Sequence, residues 1–492
     1  MLNRKVGLSI VGATIAASVA VGGSRPVAAV QADQAGKRSA LEQAITQEIA
    51  RHGGVGATVA VVENGQTLLA GGFGRRSLDA PAAVDAGTLF GIGSVTKQFT
   101  AAATLLLAEQ GKLSVHDKVA KYYPGLTRAN DITLLDLMNH VSGYRDYYPL
   151  DFVDRPMQQQ IEPDRLIRQF AGAPLDFEPG TRWSYSNTGF VLLGRILEKV
   201  SGQPLGELLS QRIFTPLGMS HTVYDPSNDD RRVAPGYTSF ALTPLTRAIR
   251  EGEGWVGAAG AIYSTAADIA RWDIALMNGR VLKPESWALM IKPRILANGQ
   301  SSNYGCGLSV GSRDGVTVLT HGGAVSGFIA RNTFVPQTKA AVVVVINNED
   351  GPLANALVDR ALAAVMPARA ANLPVTTGPS GAREDRGQIP HIDGPEPGPQ
   401  ALALFKALQG GALDRAGLGE EYSAFLTDAK VRATADSLKP YGTPASVTVR
   451  SVAERGGMEV SSVRLTFERG PLDALMYRSP DGKVQEYLLF RP

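Results

Sequence analysis

The 492-residue chain reads as an α+β protein of two lobes, an antiparallel sheet flanked by helices beside an all-helical lobe, with a small α+β domain after it. Three observations predict this. Apolar stretches bounded by hairpin turns occur in two widely separated blocks. Between the blocks the apolar residues mostly recur at helical spacing. Beyond a stretch with six Pro and five Gly in residues 373–399, new helices and then strands begin. The length calls for two or three domains. A content of 44% hydrophobic and 19% charged residues excludes a disordered or fibrous chain.

The chain opens with a basic start at residues 1–5 and an uncharged stretch of small apolar residues at 6–23. Arg25-Pro26 and candidate cleavage points after Ala29 and Ala32 follow. Residues 1–29 are therefore expected to be a secretory signal peptide, which puts the mature protein in the periplasm or outside the cell. The apolar stretch is marginal for a bilayer span, so no stable membrane insertion is expected after cleavage. The leader holds Arg4, Lys5 and Arg25 and no acid, and its removal takes the formal charge from +3 to zero. That balance gives no reason to expect a nucleic-acid partner. A single cysteine, Cys306, excludes a disulfide framework and cysteine-rich metal sites.

Residues 41–52 are amphipathic, with Leu41, Ile45 and Ile49 on one helical face. Strands follow at 56–62 and 67–73 around Glu63-Asn64-Gly65, a hairpin turn. The strand pattern returns at 307–310 and 316–320 around Arg313-Asp314-Gly315, then at 328–335 and 341–346 around Pro336-Gln337. A helix over 353–366 closes the unit. Helices are predicted in between at 96–109, 133–139, 188–200, 205–214 and 265–277. Residues 40–372 thus form one domain, 373–399 a linker, and 400–492 an accessory domain with strands at 446–452, 458–467, 472–477 and 484–490.

Three short segments could carry chemistry. In Ser94-Val95-Thr96-Lys97, the serine opens a helix and the lysine returns to the same face. An ammonium there favours the serine alkoxide, or a neutral amine accepts its proton. Backbone N–H groups of the helix start can hold an oxyanion. In Tyr185-Ser186-Asn187, the phenol becomes a base if a cation such as Lys97 lowers its pKa, and the carboxamide can bind a substrate carbonyl or the lysine. In His321-Gly322-Gly323, the glycines let a substrate approach a strand end, and Ala324 N–H is a second oxyanion donor opposite Ser94 N–H. Each segment alone has an ordinary explanation: a cap, a half-buried tyrosine, a turn. Their order and placement are what one two-lobed site requires.

These segments resemble the motifs of the beta-lactamase-related serine hydrolases, a family that includes class C beta-lactamases, D-alanyl-D-alanine carboxypeptidases, D-aminopeptidases and esterases. Leu89 to Lys97 is similar to the first motif, His140-Val141-Ser142-Gly143-Tyr144 to an H-T-S-G segment, Trp183 to Asn187 to the second motif, and His321 to Phe328 to the third. The resemblance covers about residues 40–367 and implies the beta-lactamase/transpeptidase-like fold. It implies Ser94 as the acylated nucleophile, Lys97 and Tyr185 as the proton-handling pair, and Asn187, His321, Gly322 and Gly323 at the substrate. The N–H groups of Ser94 and Ala324 would form the oxyanion hole. His321 stands where lactamases usually carry a lysine, which ranks a D-amino-acid peptide or an ester above a lactam as substrate. No metal or cofactor is required. A non-catalytic sensor or binding protein on the same fold is the alternative, kept open by the accessory domain.

Some signals are decoys. Gly307-Leu308-Ser309-Val310-Gly311 spells a nucleophile-elbow pattern, but a hairpin follows instead of a helix. His140 is expected to be structural, and Cys306 to be packed in a strand. Trp255, in a glycine-rich stretch, is expected to wall the cleft.

Overall fold

The computed structural model describes residues 27–313, 315–366 and 389–492. The leader through residue 26, the turn residue Asp314 and the linker through residue 388 lie outside the described residues.

Strict alternation builds the central sheet. In the strand Gly56–Glu63, Ala57, Val59 and Val61 face one apolar core, while Ala60 and Val62 face another. Ala340–Ile346 does the same, with Val342, Val344 and Ile346 on one side and Ala341, Val343 and Val345 on the other. A strand covered on both faces needs apolar residues at nearly every position, and β-branched ones pack best there. These two strands pair antiparallel, Ala57 opposite Ile346, and so join the two sequence blocks into one sheet. The strand order is Gln66–Gly74, Gly56–Glu63, Ala340–Ile346, Phe328–Val335, Val316–Val325, Ser309–Arg313. The helical lobe is an insertion between the second and third of these strands in sequence.

One face of the sheet is covered by Val27–His52 and Gly351–Val365, through Leu41, Ile45, Ile49, Leu353 and Leu357. The first helix begins well before residue 41 because residues 27–40 are rich in good helix formers. The other face packs on the helical lobe, whose axis is Thr96–Glu109. Thr133 caps Leu134–Met138 with a reciprocal capping box to Asp136. The helix expected over 205–214 is α-helical for Leu205–Leu209 and π-helical for Ser210–Phe214. Periodicity misses Pro163–Ala171 and Pro284–Met290, yet each starts on proline with an acid in the first turn, a start signal in its own right. Cys306 lies in a bend and not in a strand, because Gly307 turns the chain at φ +73°.

The accessory domain is a four-stranded meander, Ser446–Arg455, Met458–Phe467, Gly470–Arg478 and Val484–Phe490, covered by helices. Its first helix, Pro397–Gly410, starts inside the expected linker, with proline at the first turn. Phe152 and Phe240 of the first domain enter its core beside Tyr422 and Phe425.

One backbone contact positions the candidate nucleophile. Gly93 has φ +49°, and a Cβ there would lie 2.6 Å from Ala324 N. A Cβ on Gly323 would lie 1.9 Å from Ile92 O and 3.1 Å from Ser94 N. The serine turn and the strand Val316–Val325 therefore touch main chain to main chain, which only glycine permits. We predict that Gly323→Ala costs about 1–3 kcal/mol of stability through overpacking. Gly125→Ala, at an exposed position with open space around it, should stay within about 0.5 kcal/mol. Urea unfolding of the two variants measures the difference.

Candidate active site

The structure brings the predicted residues together. All but Lys97 line one cavity of ≈ 2690 Å³ between the lobes and the accessory domain. Ser94 is partly exposed in a short 3₁₀ turn, and Lys97 lies behind it in the first turn of Thr96–Glu109, with 0% exposure. Its helix is locked to the sheet by a buried polar chain. Trp272 Nε1 donates to Gln98 Oε1, Gln98 Nε2 to Asn332 Oδ1, and Asn332 Nδ2 to Asp273.

Lys97 Nζ has three neighbours: Ser94 Oγ at 3.0 Å, Asn187 Oδ1 at 2.8 Å and Ala259 O at 2.8 Å. The Asn187 amide cannot be turned over, because its Nδ2 donates to Asp146 Oδ1 at 3.0 Å. A carbonyl and an amide oxygen can only accept. Two N–H bonds of Lys97 are therefore committed, and the third direction of the nitrogen points at Ser94 Oγ. Burial pushes the Lys97 pKa well below its usual value; the Asp146 charge opposes this and Arg455 adds to it. A neutral Lys97 directs its lone pair at the Ser94 hydroxyl.

Asn187 is held by its place in the chain. It begins the helix Asn187–Ser201, and its backbone N–H donates to Asp146 Oδ1 at 3.0 Å. Asp146 thereby satisfies a free N–H at the helix start and orients the carboxamide. Sequence reasoning missed Asp146. A lone acid in the aromatic run Tyr144-Arg145-Asp146-Tyr147-Tyr148 was the available signal. It missed Ala259 as well, since a backbone acceptor leaves no trace in side-chain identity.

Tyr185 differs from expectation. Lys97 Nζ lies 4.8 Å from the centre of its ring, over the face and not beside the oxygen. Burial pushes the phenol above its usual range, against the opposite pull of the Ser94 hydroxyl. The phenol is protonated at rest, so the lowered pKa expected from the Lys97 charge is not found. Its Oη is buried and makes no hydrogen bond of good geometry.

His321 is a neutral imidazole. Nδ1 lies 2.6 Å from Gly322 O, which can only accept, so this nitrogen carries the proton. Nε2 then accepts from Tyr304 Oη at 2.8 Å. Burial, with help from Lys97, pushes its pKa down to about 3. His140 is structural: its Nδ1 accepts Ser186 N–H at 3.1 Å, and its ring packs on Tyr185 at 4.4 Å. Trp255 is a core residue whose Nε1 donates to Gln159 O at 2.7 Å. The cavity wall there is made by Val256, Ala259 and Gly260, because Trp255 points back into the helical lobe. Ser309 pairs opposite Thr320 in a hairpin, so the elbow pattern has no elbow. Burial pushes the Cys306 thiol up to about 12, which leaves it unreactive.

Comparison with known proteins places this arrangement. A family model described as Beta-lactamase matches residues 41–366. The chain is similar to a D-aminopeptidase of Gluconobacter oxydans (strain 621H), with 29% identity over 314 residues, covering 63% of this chain and 58% of that protein. It is similar in structure to a D-amino acid amidase from Ochrobactrum anthropi SV3, with TM-score 0.57 and 26% identity, covering 66% of this chain and 98% of that one. An octameric penicillin-binding protein homologue from Pyrococcus abyssi has TM-score 0.56 and 23% identity over 92% of this chain and 96% of its own, and shares the fold. The chain spans 57 to 71% of the length of such curated relatives.

Two neutral buried histidines make stability depend on pH. The folded pKa of His321 is about 3 against an ordinary 6.5, so the folded state refuses a proton that the unfolded chain accepts. This stabilising contribution is complete above about pH 6.5 and is lost progressively as the pH falls toward 3. The melting temperature should fall across that window, and the fall should be shallower in His321→Gln, as thermal melts at stepped pH would show.

Proposed function

The chain belongs to the beta-lactamase family, and from that premise we propose that it is an exported serine hydrolase acting through an acyl-enzyme on Ser94. The observation that carries this reading is the buried Lys97 nitrogen, with two N–H bonds committed and its remaining direction aimed at Ser94 Oγ, 3.0 Å away. Export rests on the composition of residues 1–29.

In the first step Lys97 Nζ takes the Ser94 proton as Oγ attacks the substrate carbonyl carbon. The oxyanion settles between the Ser94 and Ala324 N–H groups, which the glycine contact places side by side. Tyr185, protonated and facing the Ser94 hydroxyl, gives its proton to the departing nitrogen or oxygen. The acyl-enzyme then holds a Lys97 ammonium and a Tyr185 phenolate. Water then attacks the acyl carbon, with the same groups acting in reverse, and frees Ser94.

The preferred substrate is an amide, peptide or ester of a D-amino acid. The similarity to a D-aminopeptidase and a D-amino acid amidase supports this. So does His321, which is neutral and has both ring nitrogens engaged, leaving no cation there to hold a lactam carboxylate. Lactams should acylate slowly.

Intact-mass spectrometry after exposure to a D-alanine p-nitroanilide, a p-nitrophenyl ester and a penicillin tests the reading. An acyl adduct should form and be absent from Ser94→Ala. Lys97→Met, which fills the same buried slot, should acylate about 10²–10⁴-fold more slowly. Tyr185→Phe should slow the amide more than the ester, whose leaving group needs no proton. Full activity in Ser94→Ala would overturn the mechanism, and neither an adduct nor turnover with any reagent would favour a binding protein on the same fold.

A further inference from the structure

The accessory domain sends one side chain into the machinery of the first domain. Arg455 ends the strand Ser446–Arg455, just before the turn Gly456-Gly457. The turn abuts the first domain, where a Cβ on Gly456 would lie 3.2 Å from Pro149 Cβ. The Arg455 side chain is 10% exposed and that of Asp146 1%. Arg455 Nη2 reaches Asp146 Oδ2 and Tyr148 O, each at 3.3 Å, and Nη1 reaches Tyr477 Oη at 3.1 Å. A continuous chain therefore runs from Ser94 through Lys97, Asn187 and Asp146 to Arg455 and Tyr477.

We propose that Arg455 is a positioning residue of the active site: it neutralises Asp146, so that Asp146 can hold Asn187 without holding Lys97 in its charged form. The inference rests on the reading of Lys97 as the base.

The argument is one of charge balance in a dry site. Lys97 faces Ser94, Asn187, the Ala259 carbonyl, Tyr185 and two imidazoles, His140 and His321, that burial keeps neutral. Among the described residues, Asp146 is the one acid that acts on it directly. Asp146 itself faces Asn187, Tyr148 N–H and Arg455. The nearby Arg145 is taken up by Asp176 at 2.8 Å. Arg455 faces Asp146 and Tyr477, and it also feels Asp151, whose N–H is held by Glu486. With Arg455 present, Asp146 and Arg455 balance and Lys97 is free to be neutral. Without it, the balanced pair would be Asp146 with a protonated Lys97, which cannot accept the serine proton. Asp146 favours the charged lysine and Arg455 disfavours it, so the two have opposite signs at Lys97.

The opposite signs give the test. The pH dependence of Ser94 acylation by a p-nitrophenyl ester is measured on the full chain, with melting curves to confirm folding. Arg455→Met should move the acid limb to higher pH by at least about one unit, which is a tenfold loss at a pH on the limb. Arg455→Lys should largely restore the limb. Asp146→Asn should move it to lower pH, and the double variant should return it toward the original. A merely structural role would lower rates in all of them without moving the limb in opposite directions. If Arg455→Met does not fold, Asp146→Asn and the double variant, in which no Asp146 carboxylate is left without its arginine, still decide. Folded variants with an unmoved acid limb would overturn the proposal while leaving the base intact. Absence of Ser94-dependent acylation in the unaltered protein would overturn both.

Discussion

The burial of one amine organises this structure. Lys97 has no exposed surface, and its nitrogen is reached from three separate parts of the chain. Taking an ammonium out of water costs several kcal/mol even after relaxation. The cheaper response is to give up the proton, and the surroundings favour that response. Ala259 O and Asn187 Oδ1 can hold either form. Two neutral imidazoles add no anion, and the single acid in reach among the described residues is matched by an arginine. The neighbouring elements are placed to meet this requirement. The serine turn is pressed onto a strand through Gly93 and Gly323, a helix begins at Asn187, and a short helix, Gly257–Gly260, presents the Ala259 carbonyl.

The same arrangement explains how two domains share one site. The sheet supplies the strand Val316–Val325, and the helical lobe supplies Lys97, Asn187 and Asp146. The accessory sheet closes the far side of the cavity with Ser451, Ala453, Arg455 and Tyr477. The apolar seam at Phe152 and Phe240 fixes the accessory domain in place. That rigidity is what lets a single side chain such as Arg455 meet Asp146 within 3.3 Å across a domain boundary.

Much of the fold was legible because burial on both faces forces a strong pattern. The strands 56–62 and 341–346 could be read from their mostly apolar, valine-rich residues, while their pairing with each other is seen only in the structure. The accessory strands Met458–Phe467 and Val484–Phe490 were read to the residue from a different pattern, alternation between turns. Helices set by their caps, as at Pro163, escaped a search for periodicity. In the site, Ser94, Lys97, Tyr185, Asn187 and the 321–324 segment were legible because chemistry restricts the residue type. Asp146 and Arg455 were not, because their significance lies in a contact between segments far apart in sequence. Nothing local distinguishes Arg455 from other arginines in its domain. The Tyr185 phenol was misjudged because its environment depends on which part of the ring Lys97 faces.

The central claim is that Lys97 gives up its proton readily in the resting protein. The most direct measurement is an NMR titration of protein labelled with ¹³C at the lysine ε-carbon, with Lys97 assigned by the resonance lost in Lys97→Met. The account predicts one lysine that titrates well below 10.5 and is missing from the variant. A Lys97 resonance that titrates at or above 10.5 would contradict it.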